Sequence, residues 1–441
     1  MEHLCYNTSQ GTTLDPPFTL PPNIPYVRDG RFGRGAFQNN KHDFAPRLGA
    51  AYSLTPKTVI RTGAGIYYVR DIGNATFDVV RNAPFSTRRS EPGNLTTPNL
   101  TWNNPFSQLA SPSFILSNQF NEPTSYVAQW SFGVQRQLTG NSSLEVNYLG
   151  SAGVHLRRLT IYNAGGPGPG SAASRRAFPG LGGTVQNMNA PSHSDYHGLQ
   201  MRFQQRFSHG FTLLGSFAYA RSIDNGSGVR TTDGDSLTPS DNYNLKGERG
   251  LSAFDFRKRL TASTLYELPF GKGKPLMRSA PGVVDAFLGG WQVGTILTLQ
   301  DGFPNTATCG FGGVQNSDTT CYPDATGIDP ALSRGQQDPK RWFNPAAFVD
   351  RIPGYGAQYR YGNSGRNTVI GPGIIAWDFS AAKRFKFSEQ RNLEFRAEFF
   401  NMPNHPIFGQ PGMSPGTASY GVVGSTKIDS RQLQFGLKLN Y

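Results

Sequence analysis

Cysteines are the first residues whose type and spacing suggest chemistry. Cys309 and Cys321 bracket the segment CGFGGVQNSDTTC, which is rich in Gly, Asn, Asp and Ser. Such a segment can close as a loop disulfide in an oxidising compartment, with two unpaired thiols as the alternative. A zinc site is disfavoured because no second Cys or His pair lies nearby in the sequence. We predict Cys309–Cys321 as a possible disulfide, which leaves Cys5 without a predicted partner.

The acidic residues and histidines form no recognisable metal or catalytic motif. Asp233, Asp235 and Asp241 lie in RTTDGDSLTPSDN, but their spacing lacks the other oxygen ligands and the closing Glu of a calcium loop. The seven histidines lie apart, and no G-x-S-x-G nucleophile elbow accompanies them. The segment GKGKP lacks phosphate-loop spacing. We therefore predict no catalytic, cofactor-binding or metal-binding residue, no cofactor, and a protein that is not an enzyme.

The last eleven residues, RQLQFGLKLNY, show an apolar residue at every second position. Because successive strand side chains point to opposite faces, this alternation predicts a strand with one apolar and one polar face. The chain stops on an aromatic residue, and the same pattern recurs upstream. We predict a membrane-inserted C-terminal strand whose apolar side chains are Leu433, Phe435, Leu437, Leu439 and Tyr441.

About eleven such strands are predicted, and the connections between them alternate in length. Short turns are predicted at 55–57, 139–141, 208–210 and 388–390, and long loops at 70–124, 151–195, 223–258, 302–374 and 402–430. The link at 269–289 is intermediate. Short turns at one rim and long loops at the other are typical of outer-membrane barrels. The predicted fold class is therefore all-β, an antiparallel transmembrane β-barrel with long extracellular loops and short periplasmic turns.

Composition is consistent with this fold and disfavours others. The 441 residues are 37% apolar, and the mean hydropathy is −0.44. No apolar run approaches the roughly 18 residues that a spanning helix needs, whereas a barrel exposes only alternate residues to lipid. The net charge of +13 suggests nucleic acid. The Arg residues are scattered, however, so we predict no nucleic-acid partner, and anionic lipid head groups or acidic ligands are the alternatives.

Two regions are predicted along the chain. Residues 1–45 form an irregular lead-in or loop, and residues 46–441 form the barrel portion. No recognisable signal peptide opens the sequence, which predicts an incomplete chain or an unusual start site. Single-chain bacterial barrels have an even number of strands, so eleven strands favour a part of a larger barrel.

The polar positions of the strands supply candidate lumen-facing residues. In a large barrel they line water and contact a plug or a passing ligand. The simpler interpretation is a solvated face with cross-strand ion pairs, such as Arg396 with Glu394 or Glu398. The candidates are Arg202, Asp378, Glu394, Arg396 and Glu398.

Four segments carry a resemblance to a known family. They are YVAQWSFGVQRQLTGNSSLEVNYLGSAGVHL, YHGLQMRFQQRFSHGFTLLGSFAYARSID, ERGLSAFDFRKRLTASTLYELPFGKGKPL and YGNSGRNTVIGPGIIAWDFSAAKRFKFSEQRNLEFRAEFFNMPNHPIF. In this order they resemble the Oar-like TonB-dependent transporters, over residues 43–441. Members of that family carry an N-terminal β-sandwich, a plug domain and a 22-stranded barrel. The sequence resembles the C-terminal half of that barrel, without the plug.

The resemblance implies a cellular location, partners and an activity. The location is the outer membrane of a Gram-negative-type bacterium. The partners are outer-membrane lipid, the barrel-assembly machinery, an unknown extracellular ligand, and the TonB system through N-terminal parts missing here. The activity is uptake of a bulky nutrient such as an oligosaccharide, a peptide or a metal chelate. The alternative is a non-transporting adhesion or structural barrel whose long loops bind partners.

Overall fold

The computed structural model describes residues 40–69, 114–119, 121–177, 184–228, 238–310, 315–351, 358–387 and 391–441. Its strands are β1 (Arg47–Thr55), β2 (Thr58–Tyr68), β3 (Phe114–Asn118), β4 (Tyr126–Gln137), β5 (Ser142–Ile161), β6 (Thr184–Ser208), β7 (Phe211–Asp224), β8 (Gly250–Leu251), β9 (Lys258–Glu267), β10 (Trp291–Gln300), β11 (Pro304–Asn305), β12 (Asp324–Ala325), β13 (Phe348–Val349), β14 (Val369–Ile370), β15 (Ile374–Lys386), β16 (Asn392–Phe400) and β17 (Gln432–Asn440). Among the described residues, an α-helix, α1 (Gly282–Leu288), lies between β9 and β10, and short 3-10 helices lie at Ala172–Arg175, Leu245–Glu248 and Pro345–Ala347. In these ranges no helix is both long and apolar enough to span a membrane.

Eleven of these strands form one antiparallel sheet in chain order. The order is β1-β2-β4-β5-β6-β7-β9-β10-β15-β16-β17. In the same sheet, β3 pairs in parallel with the start of β6, and β8 pairs with the end of β7. The prediction of an all-β antiparallel fold with about eleven strands is confirmed.

The strand register separates the sheet into two faces. One row of directly opposite residues crosses nine strands and is apolar throughout, namely Tyr52, Ile60, Val134, Val146, Met201, Phe217, Leu260, Leu299 and Ile375. The neighbouring row, one residue along each strand, is mostly polar, namely Ser53, Val59, Gln135, Glu145, Arg202, Ser216, Thr261, Thr298 and Ala376. We call the two sides of the sheet the apolar face and the polar face.

The prediction of one long loop over 151–195 is wrong at both ends. The strand β5 continues to Ile161, and β6 already begins at Thr184. The pairing of these strands shifts register between Gly153 and Leu156 and again between Leu156 and Arg158. Bulges of this kind insert unpaired residues, so the side-chain alternation changes phase and the strand signal disappears from the sequence.

The long connections pack on one another at one end of the sheet, opposite the short turns. We call the described residues of 154–177, 184–193, 222–228, 238–257, 301–351, 358–373 and 401–430 the loop assembly. Two small sheets, β11 with β14 and β12 with β13, lie within it. Its apolar core is the cluster Ala307, Phe343, Ala347, Phe348 and Val369, with Trp342, Met413 and Tyr420 packed against it. The connections are therefore folded segments with a core of their own.

Candidate functional site

A buried ion pair lies at the centre of the loop assembly. The Arg366 guanidinium pairs with the Asp224 carboxylate, and the two side chains are 0% and 2% exposed. Arg366 also donates hydrogen bonds to the backbone oxygens of Glu248 and Asp224, at 2.8 Å each. One side chain from the segment before β14 therefore joins the end of β7 to the segment before β8.

Glu248 collects a second set of buried contacts. Its carboxylate accepts hydrogen bonds from Arg158 Nη2 at 2.9 Å, from the Tyr322 hydroxyl at 3.0 Å and from the Ser240 backbone N–H at 2.7 Å. Burial, and then the neighbouring Glu248 charge, raise the pKa of Tyr322. Buried charges are tolerated when they are paired and hydrogen-bonded, as these are. We assign these residues to holding the long connections together.

Cys309 and Cys321 are joined by a disulfide bond, with their Cα atoms 5.4 Å apart. The Cys309 backbone N–H also donates to the Cys321 carbonyl oxygen at 3.0 Å. Between them, Gln315 is fully buried and donates to Thr319 Oγ1 at 2.7 Å. Gln315 also accepts a hydrogen bond from Ser240 Oγ at 3.1 Å, which anchors the disulfide loop to the rest of the assembly. Cys5 lies outside the described residues.

A bidentate ion pair fixes the connection that follows β5. Arg176 Nε and Nη2 each donate to the Asp318 carboxylate at 2.7 Å, and the Gly165 backbone N–H donates to it at 2.9 Å. Burial alone would raise the pKa of Asp318, but the hydrogen bonds from Arg176 and Gly165 outweigh it and the pKa lies below the ordinary value. Asp318 is therefore ionised near neutral pH.

The surface of the loop assembly carries an aromatic and acidic patch, formed by Asp241, Tyr243 and Tyr361. The Tyr243 side chain is 88% exposed. Burial, followed by the nearby Asp241 and Tyr243, raises the pKa of Tyr361 to about 12. Exposed tyrosines offer an apolar ring and a hydroxyl in one side chain, a combination common at binding surfaces. The sequence did not indicate this patch because Tyr361 lies 120 positions after Asp241.

The candidate lumen-facing residues fall into three places on the polar face. Glu394 accepts from Arg384 at 3.2 Å and from Arg396 at 2.7 Å, and Arg396 lies 3.6 Å from Glu398. Asp378 instead accepts the Asn401 backbone N–H at 2.9 Å. Arg202 is exposed and lies opposite Glu145 on the next strand. The arginines of these pairs are more than half exposed, at 57% for Arg384 and 54% for Arg396, and solvent-exposed ion pairs contribute about 0–1 kcal/mol to stability.

The C-terminal strand lies at one edge of the described sheet. Its apolar residues share the apolar face with their partners on β16, such as Leu437 with Phe395 and Leu433 with Phe399. The side chains predicted for membrane insertion are all more than half exposed, namely Leu433, Phe435, Leu437, Leu439 and Tyr441. A contiguous apolar surface of this extent marks an interaction with lipid or with another apolar surface.

Sequence reasoning missed the buried charges Arg158, Asp224, Glu248 and Arg366. The Arg366–Asp224 contact joins residues 142 positions apart, and the Arg158–Glu248 contact joins residues 90 apart. No local pattern marks such pairs. Within the described ranges, no group of three or more His, Cys, Asp or Glu side chains is placed to hold a metal ion. Asp233 and Asp235 lie outside those ranges.

Comparison with protein families identifies the class of this fold. The sequence profile of the outer membrane beta barrel domain matches residues 4–434, nearly the whole chain. The chain therefore belongs to the outer membrane β-barrel domain family. Its location is the Gram-negative outer membrane, as predicted. A search of curated proteins finds none that matches.

Solved structures of outer-membrane transporters are similar over part of their length. The outer membrane transporter YddB from Escherichia coli is 12% identical with a TM-score of 0.48, and 90% of this chain aligns with 40% of that one. The siderophore receptor PiuA from Acinetobacter baumannii is 11% identical, with a TM-score of 0.42 and coverages of 90% and 35%. The FrpB iron transporter from Neisseria meningitidis is 12% identical, with a TM-score of 0.41 and coverages of 90% and 39%. The chain thus spans 40% or less of the length of these proteins.

Proposed function

We propose that this chain is the C-terminal part of the barrel of a TonB-dependent receptor that takes up a bulky nutrient. The observation that carries the proposal is the eleven-stranded sheet with an apolar face on one side and a polar face on the other. In an outer-membrane barrel the apolar face contacts lipid and the polar face lines the interior. The folded long connections would then lie outside the cell.

The polar face suits a wide, water-filled interior. Its charged residues are of both signs and partly exposed, as with Arg384, Glu394 and Arg396. Small barrels fill their interior with side chains, whereas large ones hold water or a plug. The candidate residues Arg202, Asp378, Glu394, Arg396 and Glu398 would contact the plug or a passing solute. The chain's part in the transport cycle would be to form the wall of the pathway.

The loop assembly would capture the ligand. Its buried ion pairs and disulfide hold several connections in one arrangement, which lowers the entropy lost when a ligand binds. Its surface patch of Asp241, Tyr243 and Tyr361 offers rings and a carboxylate to an oligosaccharide, a peptide or a metal chelate. The TonB system would act through N-terminal parts outside this sequence. The barrel-assembly machinery would insert the chain.

A non-transporting adhesion or structural barrel is the second candidate. The folded loop assembly favours it, because a rigid outer surface with an exposed tyrosine also serves binding without transport. The two candidates differ in whether the barrel wall works with an energy-coupled plug.

Solute depletion from the growth medium tests transport. Mass spectrometry would compare the medium of the parent strain, a strain lacking this gene and a strain lacking the TonB-type coupling protein. Transport predicts at least one solute that only the parent consumes. Equal depletion by all three strains, together with weaker surface attachment when the gene is absent, would contradict transport and support adhesion.

A further inference from the structure

The intermediate link between β9 and β10 carries exposed apolar side chains at the short-turn end of the sheet. In helix α1, Val283 is 72% exposed, Phe287 73% and Leu288 52%. Earlier in the link, Leu276 is 48% exposed. Apolar side chains grouped this way on a short segment are costly in water and mark a surface that contacts something apolar.

Two polar contacts hold the end of α1 against the apolar face of the sheet. Trp291 and Lys383 lie directly opposite each other on that face. Trp291 Nε1 donates to the Phe287 carbonyl oxygen at 2.8 Å, and Lys383 Nζ donates to the Gly289 carbonyl oxygen. The link is thus tethered on the same side as the apolar strand residues.

Lys383 is the unusual member of this arrangement, because it is a charged residue on an apolar face. It is only 3% exposed, and its ammonium lies 5.4 Å from the Trp291 ring centroid and 5.1 Å from that of Phe385. The rings and the Gly289 carbonyl together cover the charge. The apolar surface of the strands therefore continues onto α1 without an exposed charge between them.

Basic residues lie in the same link as the exposed apolar group. Lys272 and Arg278 are exposed in the same link, and Lys274 pairs with Glu267 at 2.8 Å. The acidic residue of the helix, Asp285, accepts the Lys272 backbone N–H. Apolar side chains flanked by Lys and Arg are the composition that binds at a membrane interface, with the rings among acyl chains and the cations at phosphates.

We propose that α1 and its flanking turn form an interfacial membrane anchor, with Val283, Phe287 and Leu288 inserted in the lipid leaflet at the short-turn rim. The inference rests on the proposed function, because it takes the apolar face as the lipid-contacting one. Its occupant is a phospholipid surface. The continuity through Trp291 and Lys383 and the flanking cations favour lipid over a protein partner.

The test measures how deeply a fluorescent label sits in the bilayer. In the full-length protein that contains this chain, with Cys5 and any other unpaired cysteine replaced by Ser, single variants Phe287→Cys, Ser279→Cys and Leu297→Cys are labelled with a nitrobenzoxadiazole dye. The purified full-length proteins are reconstituted into phospholipid vesicles that contain nitroxide-labelled lipids. Folding of each variant is checked by its heat-modifiable gel mobility, and Leu288→Cys replaces Phe287→Cys should that variant not fold.

The three sites distinguish the outcomes. The anchor predicts blue-shifted emission at 287 and loss of most of that emission to lipids labelled near the head group. The label at 279, an exposed serine of the same link, stays water-like. The label at 297, on the apolar face, is quenched by deeply labelled lipids when that face meets lipid.

Water-like emission at 287 with quenching at 297 overturns the anchor alone, whereas water-like emission at both overturns the lipid face as well. Shielding at 287 in native membranes but not in pure vesicles assigns the surface to a protein and overturns the anchor.

Discussion

Arg366 shows how individual charges stabilise the outer part of this molecule. Its guanidinium is fully buried and contacts the Asp224 carboxylate and two backbone oxygens from separate segments. Removing one partner of such a pair leaves the other charge buried without compensation. This lowers stability more than replacing both charges by apolar side chains does. The buried pairs therefore make the loop assembly sensitive to single substitutions.

Replacing Arg366 by Ala should destabilise the loop assembly by about 3–5 kcal/mol, because Asp224 would remain buried and unpaired. Limited proteolysis of the folded protein should then cleave within the loop assembly while the strands stay protected. The matched control is Arg249→Ala, whose partner Asp195 is 42% exposed. An exposed pair is worth about 0–1 kcal/mol, so its cleavage pattern should match the parent. Equal patterns for all three proteins would contradict the role given to Arg366.

Gly150 is a second position where a single residue decides local packing. It lies opposite Trp130 on the apolar face, and a Cβ atom there would come within 2.2 Å of the Trp130 ring. The ring therefore covers the glycine of the neighbouring strand, an arrangement that also pins strand register.

We expect Gly150→Ala to lower stability by about 1–3 kcal/mol, because the Trp130 ring has to move off its neighbour. Gly215 lies on the same face, and its Cβ position has no heavy atom within 4 Å. Gly215→Ala is therefore the control and should leave the unfolding midpoint nearly unchanged. Urea unfolding of the full-length protein in lipid vesicles, followed by heat-modifiable gel mobility, measures both variants. A Gly150→Ala midpoint equal to that of Gly215→Ala would show that Trp130 does not rest on Gly150.

At the scale of elements, the strands of the sheet are predictable from the sequence and the loop assembly is not. The alternation of apolar and polar residues from Leu433 to Leu439 is a local signal, since every second side chain of a strand points to the same face. Where bulges interrupt β5 after Gly153, the signal is lost, and the continuation of the strand to Ile161 is not predicted. The contacts of Glu248 and Arg366 join distant segments, so no local pattern encodes them. The turn-rich segment between Cys309 and Cys321 suggested the disulfide, and this signal is again local.

The C-terminal strand gives a test of which face meets lipid. Leu437→Arg places a charge opposite Phe395 on the apolar face and should cost about 2–4 kcal/mol where the site lies near the bilayer midplane. Gln434→Arg adds the same charge opposite Glu398 on the polar face and serves as the control. In the full-length protein, we expect the first variant to insert poorly into the outer membrane and the second to insert like the parent. Equal insertion of both would contradict the assignment of the faces.

The disulfide gives a test of the loop assembly as an element. Closing a loop of this size stabilises the folded state by about 3 kcal/mol. Non-reducing peptide mapping should find Cys309 linked to Cys321 in protein taken from outer membranes. Replacing both by Ser should increase hydrogen exchange around Gln315 and Ser240 and leave exchange in the strands unchanged. Unlinked cysteines in the native protein, or equal exchange in the double variant, would contradict this role.

At the scale of the whole molecule, the sheet has two edges in the part that the structure describes. There, β1 pairs with β2 alone and β17 pairs with β16 alone. An open edge within lipid leaves backbone groups without hydrogen-bond partners, at several kcal/mol each. The edges therefore require partner strands, and the proposal is that these belong to the remainder of a larger barrel. Along its path the described sheet has eleven strands, an odd number, and this supports the proposal because single-chain bacterial barrels have even numbers.

The most direct test of the account is the size of the protein in native outer membranes. An antibody against the C-terminal peptide RQLQFGLKLNY would detect it on a denaturing gel. A receptor with a plug and further strands predicts a band far above the 48.2 kDa of this chain. A band at the size of this chain alone would contradict the receptor proposal. The eleven strands would then have to close by self-association, and adhesion or passive permeation would replace energised uptake.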